Sequence, residues 1–160
     1  FICDELENSW KTVCHRDFHP KNVVLNKNLD LCVIDFEKSN VFVPYVDLTT
    51  FIENYSLNDF FCDNLDIKQN LIEKYLISLS DNVKNLSYEE SFRNYHLASI
   101  FEHFHLFNIA GRYFKKNNKK LGKKFHKSNS LKHLNELNNF YTGQNLDKLK
   151  KLGEVTSFLE

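Results

Sequence analysis

The 160 residues carry 21 basic and 21 acidic side chains, a formal net charge of zero that gives no global field marking nucleic acid or an anionic membrane as an obligatory partner. The length suffices for one domain with a real core, and no apolar run approaches the ~20 residues needed to cross a bilayer. With 15 Phe, 7 Tyr, no Met and a first residue of Phe1, the chain reads as a processed product or a piece of a longer protein.

In chain order, residues 1–10 read as the end of a helix, and KTVC at 11–14 as a short extended run. HRDFHPKN is a loop, because Pro20 forbids a helix through it and biases His19 toward extended geometry. VVLN at 23–26 and LCVI at 31–34 are apolar and β-branched, with turn residues between them. That is a hairpin signal with a loop of about four or five residues. DFEKSN resumes a polar loop, and VFVPYVDL leads into a helix with Asp47 near its start.

From about residue 48 the pattern is helical. TTFIENYSLNDFF keeps its aromatics on one face. Ile67, Leu71, Ile72, Tyr75, Leu76 and Leu79 have the spacing of one buried stripe, with Asp66 placed as the N-cap residue. SYEESFRNYHLASIFEHFHLFNIAGRYF predicts a long central core helix, and Ser87 with Glu90 resembles a capping box. The basic run at 115–127 reads as a break, SNSLKHLNELNNFY as another amphipathic helix, and residues 145–160 as one more. The expected fold class is α+β, mostly α: a short β-hairpin packed on a helical body, forming a single domain over residues 1–160.

The residues that carry chemistry lie between His15 and Glu37. Phosphoryl transfer from a nucleotide needs a base for the accepting hydroxyl and hard oxygen ligands for Mg²⁺. In H-R-D-x-x-x-x-N the Asp is the base and the Asn a metal ligand, and a second Asp follows the next strand. His15, Arg16, Asp17, Asn22 and Asp35 match that order and spacing. Taken singly, Asp17, Asn22 and Asp35 are ordinary turn residues, which explains each of them but not their joint spacing.

On these residues the chain resembles the aminoglycoside phosphotransferase/choline kinase-like family, whose fold is protein-kinase-like. That family's loop usually reads H-G-D-x-H-x-x-N followed by I-D-[FW]-[DEG], where this chain has HRDFHPKN and IDFE. His19-Pro20 and Glu37 favour the small-molecule enzymes over protein kinases, whereas Arg16 stands where the family often has Gly. VPYVDLTTF resembles the family's stretch that opens the next helix, with Asp47 in the matching place. The match covers about residues 12–50. The resemblance implies Asp17 as catalytic base and His15 as a buttress of its loop. It implies Asn22 and Asp35 as Mg²⁺ ligands, with Glu37 assisting. Val24 and Ile34 would form an apolar floor under the nucleotide, and His19 would face the acceptor. ATP and Mg²⁺ are the implied cofactors, and a small hydroxylated molecule the acceptor.

A Gly-rich phosphate loop and its Lys find no room before His15. The chain therefore reads as the C-terminal lobe alone, with the N-terminal nucleotide lobe as its missing partner. Alone it is expected to bind Mg-nucleotide poorly. Two readings stay open: part of a small-molecule kinase, or a non-catalytic kinase lobe serving as a binding or regulatory module.

Other features have plainer explanations. His15 and His19 are four apart, but Pro20 removes the helix that a zinc pair would need. His96 and His103 share a helix face and read as core or surface histidines, with His105 pointing elsewhere. The basic run lacks interleaved aromatics except Phe125, which argues against nucleic acid. Glu53, Asp59, Asp63 and Asp66 read as a solvated face plus a cap. Cys3, Cys14, Cys32 and Cys62 form no C-x-x-C pair and read as buried free thiols of a reducing cytoplasm, with Cys14 inert beside the loop.

Overall fold

The computed structural model describes residues 1–113 and 119–141, together with residues 148, 150, 151, 153 and 154. In chain order the elements are α1 (Ile2–Glu7), β1 (Thr12–Cys14), β2 (Val23–Leu25), β3 (Leu31–Val33), β4 (Asn40–Phe42), α2 (Tyr45–Ile52), α3 (Asn58–Asp63), α4 (Leu65–Asn82), α5 (Tyr88–Tyr113) and α6 (Lys119–Tyr141). The fold is α+β and mostly α, as the sequence patterning implies. The predicted tail helix over 145–160 lies largely outside the described residues. No described helix is long and apolar enough to cross a membrane. The chain divides into two compact units, one of residues 9–91 and one of residues 1–8 with 92–160.

The unit of residues 9–91 holds two antiparallel strand pairs. β2 and β3 form the expected hairpin, in the register Val23↔Val33 and Leu25↔Leu31. Its turn is built by Asn26, whose Oδ1 accepts from the Asn28 and Asp30 amides at 2.8 and 2.9 Å. An Asn side chain that mimics backbone in this way is the physical reason Asn favours turns. The second pair was not anticipated: β4 returns to pair with β1, Cys14 opposite Asn40 and Thr12 opposite Phe42. This clamps both ends of the segment from His15 to Ser39.

Behind the strands, Val43, Tyr45, Val46, Leu48, Ile52, Phe61 and Leu76 are buried. The helical run predicted through TTFIENYSLNDFF is broken. α2 ends at Ile52 and a single 3₁₀ turn, Tyr55–Leu57, intervenes before α3. There the Asn54 Oδ1 accepts from the Ser56 amide at 2.9 Å, drawing backbone away from the helical pattern. α4 starts one residue before Asp66, so Asn64 takes the N-cap position and Asp66 falls in the first turn. Of the predicted stripe, Leu76 is fully buried and Ile72, Tyr75 and Leu79 half-buried, but Ile67 and Leu71 are exposed. Glu53 is buried rather than solvated, and it pairs with Lys68 of α4 at 2.6 Å. At the start of α5, Ser87 Oγ accepts from the Glu90 amide at 3.1 Å, the bond expected of the Ser half of a capping box.

In the other unit, residues 94–100 of α5 are all buried, as a helix apolar nearly all round requires. Leu134, Leu137 and Tyr141 of α6 are buried as well. α6 begins at Lys119, so the second part of the basic segment is helix and not a break, while residues 114–118 lie outside the described ones. Lys is a good helix former, and its charge alone does not stop a helix. Buried between α5 and α6 are His96, His103, His126 and His133. Burial, and the nearby His103, push the pKa of His126 down to about 4, so that ring is neutral at ordinary pH.

Candidate active site

The loop after β1 turns sharply. Arg16 adopts a left-handed backbone with φ 67°, a conformation that glycine takes freely and arginine does not. This explains why Gly suits the position in the resembling loops. In this chain Arg16 is held there by two contacts. Its amide donates to Asp47 Oδ1 at 2.8 Å, and its guanidinium lies 3.8 Å above the Phe42 ring of β4. The preceding amide, of His15, donates to Asp47 Oδ2 at 2.6 Å. One carboxylate at the start of α2 therefore anchors two successive amides at the start of the loop. The likeness of VPYVDLTTF pointed to Asp47, but the bonds it makes depend on tertiary placement and were not readable.

His15 is buried and ties the loop to the hairpin. Its Nε2 lies 2.8 Å from the Ile34 carbonyl, and its Nδ1 lies 3.3 Å from the Asp17 amide. A carbonyl can only accept and an amide N–H can only donate. The two contacts therefore fix one neutral tautomer, with the proton on Nε2. The ring also packs 4.6 Å from Phe36, centroid to centroid. This geometry fits a buttress.

Asp17, the expected base, is part-exposed. Its Oδ2 accepts from Lys38 Nζ at 2.7 Å, a contact the sequence did not announce. His19 Nε2 is 3.9 Å from Asp17 Oδ1, beyond hydrogen-bond reach. The backbone of His19 is extended, as Pro20 demands, and Pro20–Asn22 form one 3₁₀ turn. Asn22 is buried, and its Nδ2 donates to the Asp17 carbonyl at 3.0 Å. Its backbone carbonyl accepts from the Ile34 amide at 3.0 Å. The base loop, the amide and the end of β3 are thereby stitched together.

Asp35 follows directly, again left-handed at φ 67° and ψ 59°, and is exposed; Glu37 is exposed on the next turn. Held strain of this kind costs roughly 1–3 kcal/mol per residue and concentrates at functional sites. Val24 and Ile34 are exposed on the hairpin, at 39% and 44%.

The donor set can be tested against the metal that the sequence implied. Asn22 commits its Nδ2 to a carbonyl, which leaves its amide oxygen as the available donor. With the Asp35 and Glu37 carboxylates, the set is all hard oxygen, as Mg²⁺ prefers. The residues present fit the ion.

Cys3, Cys32 and Cys62 are exposed rather than buried, their short apolar flanks being too little to cover them, whereas Cys14 is buried as expected and ends β1 beside this loop. Its thiol is buried and donates to the Phe42 carbonyl at 3.1 Å. Burial, and then the Asp47 carboxylate, push its pKa up to about 11, so it stays a protonated, unreactive thiol. The same two causes raise the pKa of Tyr75. The Asp47 charge is thus felt along the inner side of the loop.

No curated protein and no solved structure matches the chain. The phosphotransferase enzyme family model matches residues 3–75, a span that includes both loops, the hairpin and the Asp47 anchor. Over that span the chain is similar to the phosphotransferase enzyme family.

Proposed function

We propose that residues 15–37 carry the base and the metal ligands of an Mg²⁺- and ATP-dependent phosphotransferase. Its acceptor is a hydroxyl of a small molecule such as a sugar, an aminoglycoside or a choline-like alcohol. The observation that carries this reading is the bond from Asn22 Nδ2 to the Asp17 carbonyl, at 3.0 Å. It joins the loop of the expected base to an amide whose oxygen is not used in that bond.

In this reading Asp17 accepts a hydrogen bond from the acceptor hydroxyl and orients it. As the hydroxyl oxygen bonds to the γ-phosphorus, the bond to the β–γ bridging oxygen breaks and ADP leaves. The hydroxyl proton passes to the Asp17 carboxylate. Lys38, 2.7 Å from Asp17, places a positive charge beside the path of the phosphoryl group. Asn22, Asp35 and Glu37 would hold the magnesium, which when bound supplies neutralisation of phosphate charge. Val24 and Ile34 would meet the flat face of the nucleotide base. We assign the chain to the C-terminal lobe of a two-lobed enzyme. Support comes from the apolar surface around the hairpin, where Leu25, Leu31 and Phe36 are also exposed.

The Asn22→Leu variant tests the metal half of the reading. Leucine has the same number and branching of side-chain heavy atoms as asparagine but offers no oxygen. In the complete gene product, ADP release is expected to fall by roughly 10–100-fold or more, with half-saturation moving to higher Mg²⁺. An unchanged Mg²⁺ response in that variant would remove Asn22 from the metal site.

A further inference from the structure

The helical unit contains a cluster that the phosphotransferase reading does not use. His96 and His103 lie seven residues apart on α5, and His126 and His133 seven apart on α6. Seven residues is close to two turns, so each pair lies on one stripe of its helix. The stripes face each other. His96 Nδ1 is 2.8 Å from His133 Nδ1, and His103 Nδ1 is 3.1 Å from His126 Nδ1. The rings of His103 and His133 stack at 22° with centroids 5.9 Å apart, and ring nitrogens of the two lie within 4.8 Å. All four residues are buried.

As a purely structural core this arrangement is expensive. Burying four imidazoles costs desolvation that aliphatic side chains in the same places would not. Each Nδ1–Nδ1 contact also needs one ring to carry its proton on Nδ1 while its partner presents a lone pair. Metal ligation explains the same geometry directly. Two nitrogens that share a tetrahedral ion at ~2.0–2.1 Å sit roughly 3.3 Å apart. The observed separations of 2.8 and 3.1 Å are close to that value, so small ring rotations would convert hydrogen-bonded partners into joint ligands.

We propose that this histidine ladder is a transition-metal site centred on His103 and His133, with His126 and His96 as the further donors. The donor set is all imidazole, so it selects a borderline divalent ion of the zinc, nickel and copper class rather than magnesium. It stands independently of the phosphotransferase reading, which uses oxygen ligands from other elements.

Co²⁺ is the probe of choice, because nitrogen ligation in a tetrahedral field gives it visible absorption bands. Metal-stripped protein titrated with Co²⁺ is expected to develop those bands and to lose them on addition of Zn²⁺. The His133→Gln variant should bind Co²⁺ at least about 10–100-fold more weakly. His105→Gln, at an exposed position on α5, should bind as the wild type does. If His133→Gln fails to fold by circular dichroism, the wild type decides the matter: Zn²⁺ should raise its Tm in a saturable way. Absence of Co²⁺ bands and of any Zn²⁺ effect on Tm in the wild type would overturn the proposal. So would a folded His133→Gln protein that binds as tightly as the wild type.

Discussion

Asp17→Asn is expected to slow phosphoryl transfer by about 10²–10⁴-fold, the range typical for loss of a positioned general base. The substitution is close to isosteric, and it leaves the local scaffold in place. Asp17 is bound through its backbone to His15 Nδ1 and to Asn22 Nδ2, and neither bond involves the carboxylate. What changes is chemistry: a neutral amide does not take the hydroxyl proton. The ion pair with Lys38 is also weakened, but that pair is partly exposed, and such pairs contribute only about 0–1 kcal/mol to stability. Stability and the KM for ATP should therefore change little while kcat falls. Steady-state ADP release on wild type and variant, with a thermal melt of each, separates the two effects. A variant that turns over at the wild-type rate would take the base role away from Asp17.

The second large effect is expected at Asp47, and there it should appear in stability. Asp47→Ala removes the acceptor of two amide bonds, from His15 at 2.6 Å and Arg16 at 2.8 Å. Hydrogen bonds to charged groups contribute about 1.5–3 kcal/mol each, and a part-buried amide left unsatisfied adds its desolvation cost. The two amides are neighbours, so their contributions do not simply add. A loss of about 2–4 kcal/mol is expected. Arg16 would also lose one of the contacts that hold its left-handed backbone, so the base loop should loosen and transfer should fall with stability. Removing the carboxylate also takes away one cause of the raised Cys14 pKa. The Cys14 thiol should then titrate at lower pH than in the wild type. Denaturant unfolding and the pH dependence of Cys14 alkylation check both consequences. Wild-type stability in Asp47→Ala would show that the anchor is dispensable.

Local features of the fold were readable because they depend on neighbours in sequence. The hairpin follows from two β-branched runs around an Asn-containing turn. The start of α5 follows from Ser87 three residues before Glu90, and the buried middle of α5 from an apolar surface on every side. β4 was hidden because three residues, Asn40–Phe42, carry too little pattern. Their strand character comes from β1, which pairs Cys14 with Asn40. Competition between adjacent polar residues hid the true cap of α4: Asn64 and Asp66 are both plausible by type. In the site, the order of Asp17, Asn22 and Asp35 was visible, along with the expectation that Asp47 opens α2. The two amides on Asp47 and the ammonium of Lys38 on Asp17 were not visible, because each joins residues about twenty to thirty apart. The seven-residue spacing of His96 and His103 was likewise legible, whereas their partners on α6 required the packing of two helices.

The most direct test of the central claim is ³¹P NMR of the complete gene product. The protein would be incubated with Mg-ATP and, separately, with sugars, aminoglycosides and choline. The account predicts a new phosphomonoester resonance with at least one acceptor class, accompanied by ADP, and lost both on chelation of Mg²⁺ and in Asp17→Asn. A resonance that persists at full rate in Asp17→Asn, or wild-type protein that neither binds Mg-ATP nor forms any ester, would contradict it.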